Sequence, residues 1–155
     1  MLPARFTQTL LRGLDHLIGK TSAKNTQTPA HLIVGRRGEE DAYFYLRRRG
    51  YVMVARNFRT ARHPGEIDLI GWDKDVLCFI EVKTRTTHEV KPAAATVDRA
   101  KRQAIRIVLR DYLRLLPERH FPEPPQWRVD VVTVYYEGST GIPAIELFQN
   151  SLLSS

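Results

Sequence analysis

Between Gly65 and Arg85 the chain reads GEIDLIGWDKDVLCFIEVKTR, two apolar runs of strand length on either side of Gly71-Trp72-Asp73-Lys74-Asp75. Turn-forming residues between two such runs predict a β-hairpin. Side chains two apart in a strand share a face. Glu66, Asp68 and Ile70 are therefore expected on one side of the first strand, and Leu77, Phe79, Glu81 and Lys83 on one side of the second. A turn centred on Asp73 and Lys74 brings Asp68 opposite Ile80 or Glu81. Directly opposed residues hold their Cβ atoms about 4.5–5.5 Å apart. Two carboxylates and an ammonium thus converge on an otherwise apolar hairpin.

Close carboxylates repel, and burying them is costly unless a cation lies between them. Mg²⁺ suits such a pair, since it takes oxygen ligands, keeps several waters and bridges protein carboxylates to substrate phosphate. Lys83, two residues beyond Glu81, reaches the same volume and would stabilise charge developing on a phosphorane-like transition state. An Asp with a Glu-x-Lys is nevertheless a short pattern. Taken alone it is more often a solvated hairpin face, with an Asp68–Lys83 ion pair worth about 0–1 kcal/mol.

The charge distribution adds to the first reading. The 155 residues carry a net charge of +7, a prior for a polyanionic partner. The acids are concentrated in the hairpin region, residues 63–90, and this acidic centre lies between basic flanks at 36–62 and 91–120. A metal-dependent phosphodiester site flanked by cations that hold a nucleic-acid backbone has this arrangement. The single cysteine, Cys78, excludes an intramolecular disulfide and suits a reducing cytoplasm. No apolar run approaches the ~18 residues a membrane span requires.

The rest of the chain supplies one domain, over residues 35–150, preceded by a variable basic extension at 1–34. In that extension Phe6, Leu10, Leu11, Leu14, Leu17 and Ile18 suggest a short amphipathic helix before a polar tract. Helical spacing from Arg36 to Arg49 ends at Gly50, a good stop residue. It places Glu39 on the apolar face with Ala42, Tyr43 and Leu46, either as a further acid for the site or as a first-turn residue reaching solvent. Tyr51–Phe58 reads as a strand, followed by a basic loop from Arg59 through Arg62 to Pro64. A long helix is expected from about 93 to 116. Its buried stripe would be Val97, Ala100, Ala104, Val108, Tyr112 and Leu115, with Arg99, Arg102, Arg106 and Arg110 opposite and Lys101 turned toward the hairpin. Trp127–Tyr136 and Ala144–Phe148 read as the last strands. The order αβββαβ with a short final strand predicts an α/β architecture, a central mixed sheet flanked by helices.

The elements resemble the restriction-endonuclease-like fold, whose signature is an Asp followed by Glu-x-Lys on adjoining strands. More narrowly, the chain resembles the YraN family (UPF0102), small bacterial proteins regarded as similar to archaeal Holliday junction resolvases. The carrying blocks are Gly38-Glu39-x-x-Ala42-x-x-Tyr45-Leu46, Gly50-Tyr51, Arg56-Asn57-Phe58-Arg59 and Gly65-Glu66-Ile67-Asp68-Leu69-Ile70. Phe79-Ile80-Glu81-Val82-Lys83-Thr84-Arg85, Val97 with Lys101, and Arg128-Val129-Asp130-Val131-Val132 complete them. The resemblance implies that Asp68 and Glu81 ligate Mg²⁺ or Mn²⁺ with the Val82 carbonyl as a third ligand. It implies that Lys83 is the catalytic lysine and Glu39 a helix-borne acid of the site. Arg59, Arg62, Arg85 and Lys101 would hold the nucleic acid, DNA in the first place. The implied activity is endonucleolytic hydrolysis of DNA phosphodiesters, with branched or junction DNA as substrate and a C₂ homodimer to cut two strands. The rival is a nucleic-acid-binding accessory protein of the same fold that does not cleave.

Overall fold

A computed structural model describes residues 30–86, 99–137 and 141–151. The helix expected within residues 6–18 and the stripe residue Val97 lie outside these. Helix α1 (Ala30–Arg48) is followed by β1 (Val52–Thr60), β2 (His63–Asp73) and β3 (Val76–Arg85). Helix α2 (Arg99–Leu115), β4 (Trp127–Tyr135) and β5 (Ala144–Phe148) complete the chain. The five strands form one sheet in the order β1-β2-β3-β4-β5. Pairing is antiparallel except between β3 and β4, which run parallel and are joined by the crossover that carries α2. The architecture is the expected α/β sandwich with a mixed sheet between helices.

Helix α1 begins at Ala30 rather than Arg36, so it crosses the boundary drawn at residues 34 and 35. Its end matches the sequence. Gly50, at φ 92°, takes the left-handed conformation that glycine adopts without steric penalty. Its N–H donates to the Arg47 carbonyl and the N–H of Tyr51 to that of Leu46, closing the helix as a Schellman motif.

Each helix covers one face of the sheet. Ala42, Leu46 and Tyr51 pack with Leu69, Cys78, Ile80, Val132 and Val134 on the α1 side. Ile105, Val108 and Leu109 pack with Ile67, Ile70, Leu77, Phe79, Val129 and Val131 on the α2 side. Burial on both faces is why the central strands read as apolar runs rather than as alternation. The buried stripe of α2 differs from the expected one. It centres on Ile105, Val108, Leu109 and Tyr112, while Leu115 is 69% exposed and Ala100 is exposed. The branched side chains of Ile105 and Leu109 lie one residue on from Ala104 and Val108 and rotate the stripe toward themselves. Lys101, four residues before Ile105, is consequently in line with the stripe and directed at the sheet.

The expected sharing of a face by Glu66, Asp68 and Ile70 does not hold. Ile70 joins the α2-side core, whereas Glu66 lines a cleft beneath α1. Both strands change phase at the same level. Arg56 stacks on Tyr43 of α1 while Phe58, two residues on, meets Tyr112 of α2. Across from them Leu69 faces α1 and Ile67 faces α2. Asn57 lies between those pairs, opposite Asp68, with φ 48°. A left-handed residue breaks the two-residue alternation of a strand, and asparagine tolerates that conformation better than other non-glycine residues.

Candidate active site

The β2–β3 ladder runs from Asp73↔Val76 to Leu69↔Ile80 and stops. At the next level the Asp68 side chain takes over, its Oδ2 accepting the Val82 N–H at 2.7 Å. The N–H and C=O of one strand residue face the same neighbour, so the Val82 carbonyl is directed to the Asp68 side as well. Asp68 is 7% and Glu81 3% exposed. Burial raises the pKa of Asp68, and the charges of Glu81 and Glu39 push it further up, against the Val82 hydrogen bond and the Lys101 charge. Burial likewise raises that of Glu81, although Lys101 and Lys83 oppose it.

Lys101 forms an ion pair with Glu81 Oε1. Burial works against the charge of Lys101, but the bond to Glu81 and the further charges of Asp68 and Glu66 outweigh it and hold its pKa above the ordinary lysine value. Lys101, expected among the cations that hold phosphate, is paired here with the site's own acid. The other Glu81 oxygen, Oε2, is buried with no hydrogen-bond partner among the described residues. A buried, unpartnered carboxylate oxygen beside a second carboxylate and a main-chain carbonyl is a set of hard oxygen donors, and it fits Mg²⁺ or Mn²⁺. Among the described residues no group of three or more His, Cys, Asp or Glu side chains is gathered around one point. The site therefore offers two carboxylates and a carbonyl rather than a closed protein cage.

Lys83 follows on the same strand and is half-buried. Burial lowers its pKa, Lys101, Arg85 and Arg102 lower it further, and Glu81 opposes them. Glu39 stands nearby on α1, where its Oε2 accepts from Asn57 Nδ2 at 3.0 Å. Gly38 brings it there. A Cβ at Gly38 would lie 1.9 Å from Thr84 Oγ1, so the helix can rest on β3 only because this residue has no side chain. Two clefts flank this contact, of about 490 and 600 Å³, and His31, Gly35 and Glu39 line both. Arg85 lines the first with Val82 and Thr84. Arg59 lines the second and is paired with Glu66. Arg62 is exposed in the tight turn between β1 and β2.

The structure thus gathers Asp68, Glu81, Val82, Lys83 and Lys101 at one point. It sets Glu39, Arg59 and Arg85 around the adjoining clefts and leaves Arg62 farther out on the turn. Sequence reasoning missed three features. His31 belongs to a stretch assigned to the extension, and no local pattern marks it. Asn57 had a signal, since asparagine is depleted in strands. The third is a buried network at the hairpin-turn end of the sheet, far along β3 from Lys83. There Arg128 Nε donates to both oxygens of Asp130 at 3.0 Å, and its Nη2 to Asp73 at 2.8 Å and to the Tyr51 hydroxyl at 2.9 Å. Asp130, fully buried, also accepts the Asn150 N–H at 2.9 Å. Cys78 lies in the same region, and burial pushes its thiol up to about 12, leaving it an inert core residue.

Residues 38–134 match the model described as "Uncharacterised protein family UPF0102". A UPF0102 protein of Koribacter versatilis is 46% identical over 150 residues, covering 97% of this chain and 96% of its own length. That alignment extends through most of the segment before residue 38, which the family model leaves out. A UPF0102 protein of Solibacter usitatus is 43% identical over 108 residues, 70% of this chain and 79% of that protein. One of Methylibium petroleiphilum is 44% identical over 106 residues, 65% of this chain and 83% of that protein.

Proposed function

The chain belongs to the UPF0102 family, and from that premise and the geometry around Glu81 we propose that it is a metal-dependent endonuclease hydrolysing DNA phosphodiesters. The observation that carries the reading is the pair of buried carboxylates, Asp68 and Glu81, with a buried Glu81 oxygen left without a partner and a lysine two residues along the strand. Asp68, Glu81 and the Val82 carbonyl would hold Mg²⁺ or Mn²⁺. When bound, the ion supplies Lewis-acid polarisation of a phosphoryl oxygen and a more acidic water.

The chain's own residues do the remaining work. The Val82 N–H fixes the Asp68 carboxylate in one orientation. Lys83, with its lowered pKa, would give or take a proton at Nζ or stabilise charge on the phosphoryl oxygens. Lys101 neutralises Glu81. Arg85 on one cleft and Arg59 on the other hold flanking phosphates.

The rival reading, a binding protein of the same fold that does not cut, draws on the Lys101–Glu81 pair, because an internal ammonium already offsets part of the acidic charge. Labelled four-way-junction, single-stranded and duplex DNA incubated with the protein and Mg²⁺ or Mn²⁺ separate the two. Cutting of the junction in preference to the others supports an enzyme of branched DNA, which would act as a C₂ homodimer. Salt-sensitive binding of all three without products supports the rival.

A further inference from the structure

The candidate active site leaves unused most of the arginines that follow Glu39 along the chain. Between Asp41 and Glu66 there are six arginines and no carboxylate, together with Tyr43, Phe44, Tyr45, Tyr51 and Phe58. Two guanidinium groups approach one ring: Arg56 of β1 lies 4.9 Å and Arg47 of α1 5.8 Å from the centroid of Tyr43. Phe44 stands edge-on to that ring at 5.4 Å and is 46% exposed. Arg49 lies 5.4 Å from the centroid of Tyr45. Among the described residues, no carboxylate pairs with Arg47, Arg48, Arg49 or Arg56. The patch is continuous with the site, because Arg56 also lines the 600 Å³ cleft with Arg36, Asn57, Arg59 and Glu39.

Arginines at the end of a helix favour its dipole, which accounts for Arg47 and Arg48. It accounts neither for Arg56, which comes from a strand, nor for the exposed Phe44 beside Tyr43. A duplex keeps the faces of its bases inside and would use the arginines alone. Unstacked bases use both, stacking on aromatic rings while the phosphates meet the cations. We propose that the α1–β1 face binds a single-stranded nucleic-acid segment, with Arg47 and Arg56 on its phosphates and Phe44 beside Tyr43 under a base. This rests on the nucleic-acid reading of the neighbouring site, though not on cleavage. It narrows the substrate to DNA with an unpaired arm leaving the site along α1.

The test uses Asp68→Ala protein, so that binding is read without cutting, and the anisotropy of fluorescein-labelled oligothymidylate beside a duplex of equal length. Oligothymidylate should bind more tightly than the duplex. Adding Phe44→Ala should weaken oligothymidylate about tenfold and the duplex little. Arg47→Ala with Arg56→Ala should flatten the plot of log affinity against log salt by about 1.4, the loss of two single-strand phosphate contacts. Arg106→Ala with Arg110→Ala on α2 removes the same charge from the other face of the sheet and should fall well short of these effects. The inference is overturned if the α2 pair weakens binding as much, if Phe44→Ala leaves affinity unchanged, or if polyglutamate competes as well as unlabelled oligothymidylate. Should native protein cut DNA while the α1–β1 variants bind like their parent, this inference falls and the nuclease reading stands. Absence of both binding and cutting would overturn both.

Discussion

The backbone N–H of Val82 is bonded to the carboxylate of Asp68, at 2.7 Å, where continued strand pairing would have given it a carbonyl of β2. One side chain thus ends a ladder and opens the sheet at the point where Glu81 and Lys83 follow on β3. It also leaves a buried carboxylate whose ionisation burial and Glu81 oppose.

A pH dependence follows, and its sign is fixed by the direction of that shift. Below about pH 4, the ordinary aspartate value, folded and unfolded chains both hold the proton. As the pH rises toward the raised folded pKa, the unfolded chain releases its proton and the folded one keeps it, so stability falls across that window. Glu81 acts in the same direction. In chelator, thermal unfolding of the native protein should therefore move to lower temperature as the pH is raised from about 4. Asp68→Asn keeps an oxygen for the Val82 N–H, so it should lose this component and be the more stable protein at neutral pH. Added Mg²⁺ should raise the native midpoint and leave that of Asp68→Asn in place.

Lys101→Met removes the cation that Glu81 Oε1 holds. Glu81 is then a buried acid with less to offset it, and its protonated form is favoured. The variant should unfold at lower temperature than the native protein near neutral pH, with the gap closing in acid as Glu81 takes up a proton. Melting curves of both proteins across that range check this. A gap independent of pH would show that the pair has no electrostatic role in the folded chain.

The contact of α1 with β3 is tested at Gly38. A methyl group there meets Thr84 Oγ1 at 1.9 Å and Thr84 Cβ at 3.1 Å. Gly38→Ala should destabilise by about 1–3 kcal/mol, as overpacking does. Combined with Thr84→Ala, which removes the nearest atom, part of that loss should be regained. A double-mutant cycle in urea should give a coupling of about 1 kcal/mol. Additive effects would mean that the helix shifts away instead.

At the other end of the sheet, Arg128→Met would leave Asp130 fully buried without its cation. Removing one partner of a buried pair costs about 3–5 kcal/mol, a loss that urea unfolding measures directly. The network lies at the hairpin turn, so the metal-induced stabilisation attributed to Asp68 should persist in whatever fraction remains folded.

Most of the fold was legible because it rests on local signals. The turn residues at Asp73–Asp75, the stop at Gly50 and the apolar runs of β3 and β4 each name their element and its ends closely. The juxtaposition of Asp68 with Glu81 followed from hairpin register alone. Lys101 was legible as a residue turned toward the hairpin, but its commitment to Glu81 was not. That depends on the rotation of α2, which Ile105 and Leu109 set through tertiary packing. The phase change at Asn57 escaped for a similar reason. A single left-handed residue in β1 breaks its alternation without disturbing the apolar pattern from which strands are read, and β2 changes phase across from it. His31 and the Arg128 network join residues far apart in sequence, and no spacing rule brings them together.

The proposed function assigns Asp68, Glu81 and Lys83 to a metal-dependent phosphodiesterase centre. Its most direct test is cleavage of labelled DNA by the native protein in Mg²⁺ or Mn²⁺ and in chelator, beside Asp68→Asn and Lys83→Met proteins shown to be folded. Products are expected only from the native protein and only with the divalent ion. Cutting by the Lys83→Met protein at the native rate, or no cutting by a native protein that still binds DNA, would contradict it.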